Sequence, residues 1–404
     1  MGLFQRKKHS ENATQIPDES MEEVDGLTAE AAKKPKKKRP ANTAFKQQRL
    51  KAWQPILTPK SVLPTLLIVG LIFAPIGGVL IWGSNQVTKL RFDYTDCDIS
   101  APSDGTSATM PSNKYDYALS SYEDNPGYNP PRWSFSNDSS RPVGEQAQCT
   151  ITFDVPYDLH NSVFLYYRLT NFYQNNRRYV NSLDTSQLIG DTVKVSDLDD
   201  GQCKPITSRD GKPYYPCGLI ANSVFNDTYQ DIVLQNPSNG ASAQPYNFTD
   251  KGITWHNEYK KYTNNPPGSP SDYLPPPNWV ARYPDGYTEF PQLASDEHFQ
   301  VWMKISALPT FTKLWARNDN EVMQAGTYQI VANMNYPVRM FDGTKSIVIS
   351  TVSWMGGKQP FLGWSYVAVS AVCVFLAIAG TVKHMIKPRR MGDMSMLSWN
   401  QPAR

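Results

Sequence analysis

Residues that usually carry chemistry are scarce in this chain. It has five histidines and five cysteines in 404 residues. The histidines, at positions 9, 160, 256, 298 and 384, are scattered, and none sits at metal-ligand spacing from another. No C-x-x-C or C-x-x-H pair occurs, which disfavours the zinc frameworks that four cysteines could otherwise build. The phosphate-cradling G-x-x-x-x-G-K-[ST] loop is missing, and "DGTKS" at 342–346 only looks similar. G-x-S-x-G and H-E-x-x-H are missing as well. The acidic run "SDLDDGQC" (196–203) lacks both the ligand spacing and the closing Glu of a calcium loop, so it reads as a solvated turn. The expectation is a protein with no catalytic residues, no metal, no cofactor and no nucleic-acid partner.

Charge is absent from two long windows. "VLPTLLIVGLIFAPIGGVLIW" (62–82) and "FLGWSYVAVSAVCVFLAIAGTV" (361–382) hold no Asp, Glu, Lys or Arg. Each meets the length of about 20 apolar residues that a helix needs to cross a bilayer. The remainder must be water-soluble, since the mean hydropathy is -0.49. A cleavable export signal is not expected either, because 61 mostly polar residues precede the first window.

Residues 1–61 carry thirteen Lys/Arg against seven Asp/Glu, and the tail from 383 carries five against one. Lys46, Arg49, Lys51 and Lys60 flank the first window, and Lys383, Lys387, Arg389 and Arg390 the second. The positive-inside rule then puts both termini in the cytosol. The expected order is a disordered tail (1–41), an amphipathic juxtamembrane segment (42–61), a first span (62–83), a lumenal or extracellular domain (84–360), a second span (361–382) and a basic tail (383–404). The first span acts as an uncleaved signal anchor.

Four cysteines, Cys97, Cys149, Cys203 and Cys217, fall in the middle segment, while Cys373 lies inside the second span. An even number on the oxidising side implies two disulfides, with three possible connectivities. Pairing neighbours, Cys97 with Cys149 and Cys203 with Cys217, closes the smaller loops and is favoured. Acceptors for N-linked sugar occur in the same segment at Asn137, Asn226 and Asn247. A fourth match, Asn12, lies in the cytosolic tail and should stay unmodified.

The middle segment reads as β-rich. "CTITFDVP" (149–156), "SVFLYYRLTNFY" (162–173), "FQVWMKIS" (299–306), "TYQIVANMNYP" (327–337) and "KSIVISTVSW" (345–354) mix β-branched and aromatic residues with partial alternation. Their wide spacing predicts a large antiparallel β-sandwich with long loop insertions, flanked by the two transmembrane helices. Within the spans, Gly70, Ala74 and Gly78 step by four, and Gly363, Ser370 and Ala377 step by seven. Small residues on one face allow close approach, either between the two spans or by a third helix.

Several longer stretches resemble one family. They are "NTAFKQQRLKAWQPILTP" before the first span, "NFYQNNRRYV" (171–180), "PCGLIANSVFNDT" (216–228), "PPPNW", "YPDGYTEFP" (283–291), "FQVWMKISALPTFTKLWAR" (299–317) and "FDGTKSIVISTVSWMGGKQPFLGWSY" (341–366). Together they are similar to the cell division control protein 50 / ligand-effect modulator family, accessory β-subunits of phospholipid flippases. The resemblance implies a heterodimer with a type IV P-type ATPase that moves phospholipids to the cytosolic leaflet, in contact with membrane lipids. It implies that the pump holds the chemistry, and that the subunit is needed for exit from the endoplasmic reticulum and for the pump's cycle. Residence then lies between the endoplasmic reticulum and the Golgi, endosome or plasma membrane. Arg177, Arg178, Phe45 and Trp53 are the expected partner contacts, although the two arginines could instead cap a strand within the domain. The reading that competes is a stand-alone two-span receptor or adhesion domain, with an ecto-hydrolase third.

Overall fold

Two helices of equal length enclose the folded part of the chain in a computed structural model, which describes residues 42–50, 57–124, 127–160, 162–237 and 242–388. Helix α1 runs Pro59–Asn85 and helix α8 runs Pro360–Ile386. Thr58 opens α1 with a capping box: its side chain meets the backbone of Ser61, and the Ser61 side chain meets the backbone of Thr58. Proline stands in the first turn of both helices, where a missing N–H costs nothing. Both helices are long and apolar enough to cross a membrane. Residues 42–50, taken by themselves, form a turn in which Gln47 N donates to Thr43 O at 2.9 Å.

Between the helices lie two antiparallel sheets. The first contains β1 (Lys89–Asp93), β3 (Tyr115–Ala118), β6 (Val163–Leu169), β12 (Phe311–Asn318) and β14 (Lys345–Thr351), in the order β12-β6-β14-β1-β3. The second contains β2 (Ala108–Thr109), β4 (Arg132–Asn137), β5 (Ala147–Val155), β10 (Ile232–Leu234), β11 (Gln244–Tyr246) and β13 (Gly326–Asn333), in the order β11-β10-β13-β5-β4-β2, with β9 (Thr228–Tyr229) also paired to β13. A small hairpin joins β7 (Ser208–Arg209) to β8 (Lys212–Pro213).

Alternation builds the core. Leu90 and Phe92 on β1, Val163 and Leu165 on β6, and Ile347 and Ile349 on β14 meet Ile151 and Phe153 on β5 and Ile330 and Ala332 on β13. The Phe92 and Phe153 rings, one from each sheet, lie with centroids 4.7 Å apart. The architecture is the sandwich that the strand patterning predicts.

Short helices fill the excursions: α2 (Cys97–Ser100), α3 (Arg177–Val180), α4 (Thr185–Ile189), α5 (Val195–Asp200), α6 (Leu219–Asn222) and α7 (Glu297–Met303). Two of them correct the sequence reading. "FQVWMKIS", expected as a strand, is helical through Met303 because Asp296 caps it, accepting from Phe299 N at 2.9 Å. The spacing of three between Phe299 and Trp302 then buries both on one helical side. The acidic run expected as a turn is helical too: α5 covers Asp197, Asp199 and Asp200, and Leu198 is buried against the Cys203–Cys217 pair.

Candidate functional site

Among the described residues, α1 and α8 are the two helices long and apolar enough to cross a membrane. Helices α1 and α8 run antiparallel and touch along a seam of small residues. A Cβ at Gly70 would meet Val374 Cγ2 at 2.6 Å, and one at Gly77 would meet Val367 Cγ2 at 2.8 Å and Gly363 O at 3.0 Å. A Cβ at Gly363 would in turn approach Ile81 N at 2.9 Å. Ser370 donates its hydroxyl to Gly70 O at 2.6 Å. Ala377 is buried on the same side of α8.

The seam on α1 therefore steps by seven, from Gly70 to Gly77 to Ser84, all buried. Of the ridge of steps of four, only Gly70 meets the second span: Ala74 and Gly78 are exposed, and nothing lies within 4 Å of a Cβ at Gly78. The reason is geometric, since two long helices packed at a shallow angle keep contact every seven residues, and a step of four drifts off the seam.

Where the helices leave the membrane, side chains lock them to the sheets. Lys358 Nζ donates to Val87 O at 3.0 Å and Leu119 O at 2.7 Å, and Gln359 N donates to Ser84 Oγ at 3.0 Å. Burial lowers the Lys358 pKa, with the Lys89 charge adding to the effect. Trp82, Trp354 and Trp364 stay largely exposed here, as interfacial tryptophans do.

The stretch 214–228 occupies the far side of the domain. Cys203 and Cys217 are bonded, as are Cys97 and Cys149. Gly218 follows with φ +96, and a Cβ there would lie 2.1 Å from Ser182 O, so only glycine fits. Helix α6 is then gripped by two indoles: Trp279 Nε1 donates to Ala221 O at 2.9 Å and Trp302 Nε1 to Ile220 O at 2.8 Å.

Next in sequence, Asp227 is wholly buried. Its Oδ2 meets Lys345 Nζ at 2.7 Å and accepts from Tyr94 Oη at 2.7 Å, while Oδ1 accepts from Tyr336 N at 2.6 Å and from Asn335 N. Burial, with the Asp227 carboxylate alongside, pushes the Tyr94 hydroxyl well above its ordinary range and keeps it a donor. Sequence reasoning missed this pair, although a signal existed. Lys345 has the same strand parity as Ile347 and Ile349, and a lysine at core parity needs buried acceptors, whether a carboxylate or backbone carbonyls.

The expected surface residues are dispersed. Asn137, Asn226 and Asn247 are all exposed on the domain. Arg177 and Arg178 stand in helix α3 rather than against a strand: Asn176 caps it by accepting from Arg178 N at 3.0 Å, and both arginines are exposed. Neither makes an ion pair among the described residues. Two exposed apolar residues stand close by in the chain turns, Tyr173 and Leu308, at 57% and 68% exposure. Asn175 Nδ2 ties those turns together through Ala307 O at 2.8 Å. This edge lies beyond Leu169 and Phe311, the sheet end opposite the helices. Phe45 is exposed in its own segment, and Trp53 falls outside the described residues.

Fold and junction together define an integral membrane protein with two spans carrying a disulfide-bonded β-sandwich. The chain belongs to the LEM3 (ligand-effect modulator 3) family / CDC50 family, whose model matches residues 80–390. It is 39% identical over 378 residues to the phospholipid-transporting ATPase accessory subunit CDC50 of Chaetomium thermophilum, covering 91% of this chain and 92% of the relative. It is 42% identical over 366 residues to the phospholipid-transporting ATPase accessory subunit CRF1 of Saccharomyces cerevisiae, covering 90% of each. Identity to cell cycle control protein 50A of Mus musculus is 40% over 356 residues, covering 85% of this chain and 88% of the relative.

Proposed function

We propose that this chain is the non-catalytic accessory subunit of a phospholipid-transporting P-type ATPase. The observation that carries the reading is the near full-length similarity to two proteins named as such subunits. The physical layout suits the role: two packed spans give a membrane foothold, and the sandwich offers a broad, rigid surface on one side of the bilayer.

In this reading both termini face the cytosol, the domain over 84–360 is lumenal or extracellular, and Asn137, Asn226 and Asn247 carry sugars. The arginine edge of helix α3, with Tyr173 and Leu308, is the partner-facing surface. The subunit serves the pump's exit from the endoplasmic reticulum and its transport cycle, and it resides between there and the Golgi, endosome or plasma membrane. A bound subunit biases a pump's cycle by contacting some of its states better than others. The chemistry stays in the partner.

The test is co-purification in mild detergent followed by peptide sequencing of the captured protein. A P-type ATPase in equal amount is expected, with phosphoenzyme formation that drops when this chain is depleted. Recovery of the chain alone, with pump turnover unchanged by its removal, favours the stand-alone receptor reading instead.

A further inference from the structure

Strand β4 ends in Phe135-Ser136-Asn137, followed by Asp138 and Ser139, which completes the acceptor for N-linked sugar. Residues two apart on a strand share a face. Trp133, fully buried, therefore defines the side on which Phe135 and Asn137 both lie. Phe135 is half-buried against the core edge, and Asn137, at the end of the strand, is exposed.

Asn137 and Phe135 both line a cavity of about 370 Å³, where the sandwich opens between the end of β4 and the segment 334–340. That volume falls in the range of about 300–1,000 Å³ found for sites that hold small ligands. Its walls divide by chemistry. Phe135, Met334, Pro337 and Val338 supply an apolar surface, and Met340 stands at the rim 80% exposed. Thr95, Asp98, Asn335 and Arg339 supply polar groups, with the Arg339 guanidinium held in place by Asp98 and by Thr95 O.

A pyranose with an acetamide group matches such a lining. It has one face of C–H bonds that packs on an aromatic ring, a methyl group, and hydroxyls for the polar rim. The other two acceptors lack the aromatic: two residues before Asn226 stands Val224, and before Asn247 stands Pro245.

We propose that this cavity seats the first N-acetylglucosamine of the sugar carried by Asn137, against Phe135, so that the sugar braces β4 to the segment 334–340. The proposal rests on the reading that Asn137 is glycosylated. The sugar covers the apolar rim at Met340 and shields the backbone of 334–340, which hydrogen-bonds to Asp227 through Asn335 N and Tyr336 N.

The experiment uses the full-length chain from a eukaryotic secretory host, purified in detergent. Mass spectrometry of glycopeptides reads occupancy at Asn137, Asn226 and Asn247. Time courses of sugar release by an amidase under native conditions then compare the sites. We expect release from Asn137 about fivefold slower than from Asn247, the ratio that one aromatic packing contact supports. Phe135→Leu should retain occupancy and bring the two rates within about twofold. As a second readout, Ser139→Ala removes the sugar and keeps Asn137, and amides of 334–340 should then exchange about fivefold faster. An occupied Asn137 that is released as fast as Asn247, with exchange in 334–340 unmoved by Ser139→Ala, overturns the seat and leaves the glycosylation reading standing. An unoccupied Asn137 overturns both.

Discussion

Ser370 donates its hydroxyl to the carbonyl of Gly70 across the two spans at 2.6 Å. That contact is possible only because Gly70 has no side chain, and the same holds one heptad away, where Gly77 faces Gly363. Interhelical hydrogen bonds of this kind contribute about 0.6 kcal/mol in bilayers, so close packing carries more of the association. Gly77→Val should therefore destabilise the pair by about 1–3 kcal/mol through overpacking. Gly78→Val, in open space, should leave the thermal midpoint in detergent unchanged. Equal effects from the two variants would sink the seam.

Asp227→Asn provides a separate test of the buried pair. The change leaves Lys345 buried with no opposing charge, which costs about 3–5 kcal/mol. It also preserves the sugar acceptor, since Asn226 and Thr228 remain. Loss of folded protein by chemical denaturation, with glycosylation of Asn226 intact on the surviving fraction, is the expected outcome. Asn226→Gln should do the reverse, losing the sugar while keeping the core.

How legible were these features beforehand? The two spans and the core strands at 149–156 and 345–354 were legible, because a charge-free run of more than 20 residues exceeds the usual buried core helix and a β-branched alternation suits a pleated strand. Helix α7 was not, because its apolar positions satisfy a strand pattern as well as a helical one. The cap at Asp296 decided between them, and a cap shows its role only when its acceptor geometry is seen. The small residues at 70, 74 and 78 left the seam between the spans open for another reason. A step of four and a step of seven share Gly70, and only the partner helix selects between them. Buried charge was hidden by distance, since Asp227 and Lys345 are far apart in sequence. The edge proposed to face the partner stayed diffuse because exposed arginines carry no internal signature.

Lys313 predicts a pH dependence. Its Nζ donates to Val301 O at 3.1 Å and Trp302 O at 2.8 Å and also reaches Lys304 O, closing the end of helix α7 onto β12. Burial, with the Lys304 charge second, lowers its pKa from 10.5 to about 7. In that interval the unfolded chain holds a proton that the folded chain has released. Stability contributed at this site should then rise as pH increases from about 7 toward 10 and stay flat below. Lys313→Met should remove the slope, read as the difference between the two unfolding free energies across that range. A difference independent of pH would rule the titration out.

The Cys203–Cys217 bridge closes a 14-residue separation. In the chain-entropy model a loop of that size contributes about 3 kcal/mol. Replacing both cysteines with serine should lower the unfolding free energy by about that amount. The loss should fall locally, because Leu198 and helix α6 pack beside the bridge. Hydrogen exchange should rise first over 195–222, ahead of the sandwich strands.

Arg177 and Arg178 separate a binding role from a structural one. Both are exposed and unpaired among the described residues, at the sheet end opposite the spans. Surface changes away from caps and cores usually alter stability by less than about 0.5 kcal/mol. The paired substitution Arg177→Glu with Arg178→Glu keeps the Asn176 cap, which uses backbone N–H, and so should leave the thermal midpoint unchanged. If the edge faces acidic groups of the partner, reversing two charges places like against like, which costs several kcal/mol. Recovery of the ATPase in detergent capture should then fall about tenfold or more and be partly restored by raising salt. Undiminished capture by a normally folded variant would move the interface elsewhere, and the exposed Ala74 and Gly78 on α1 would be the next positions to alter.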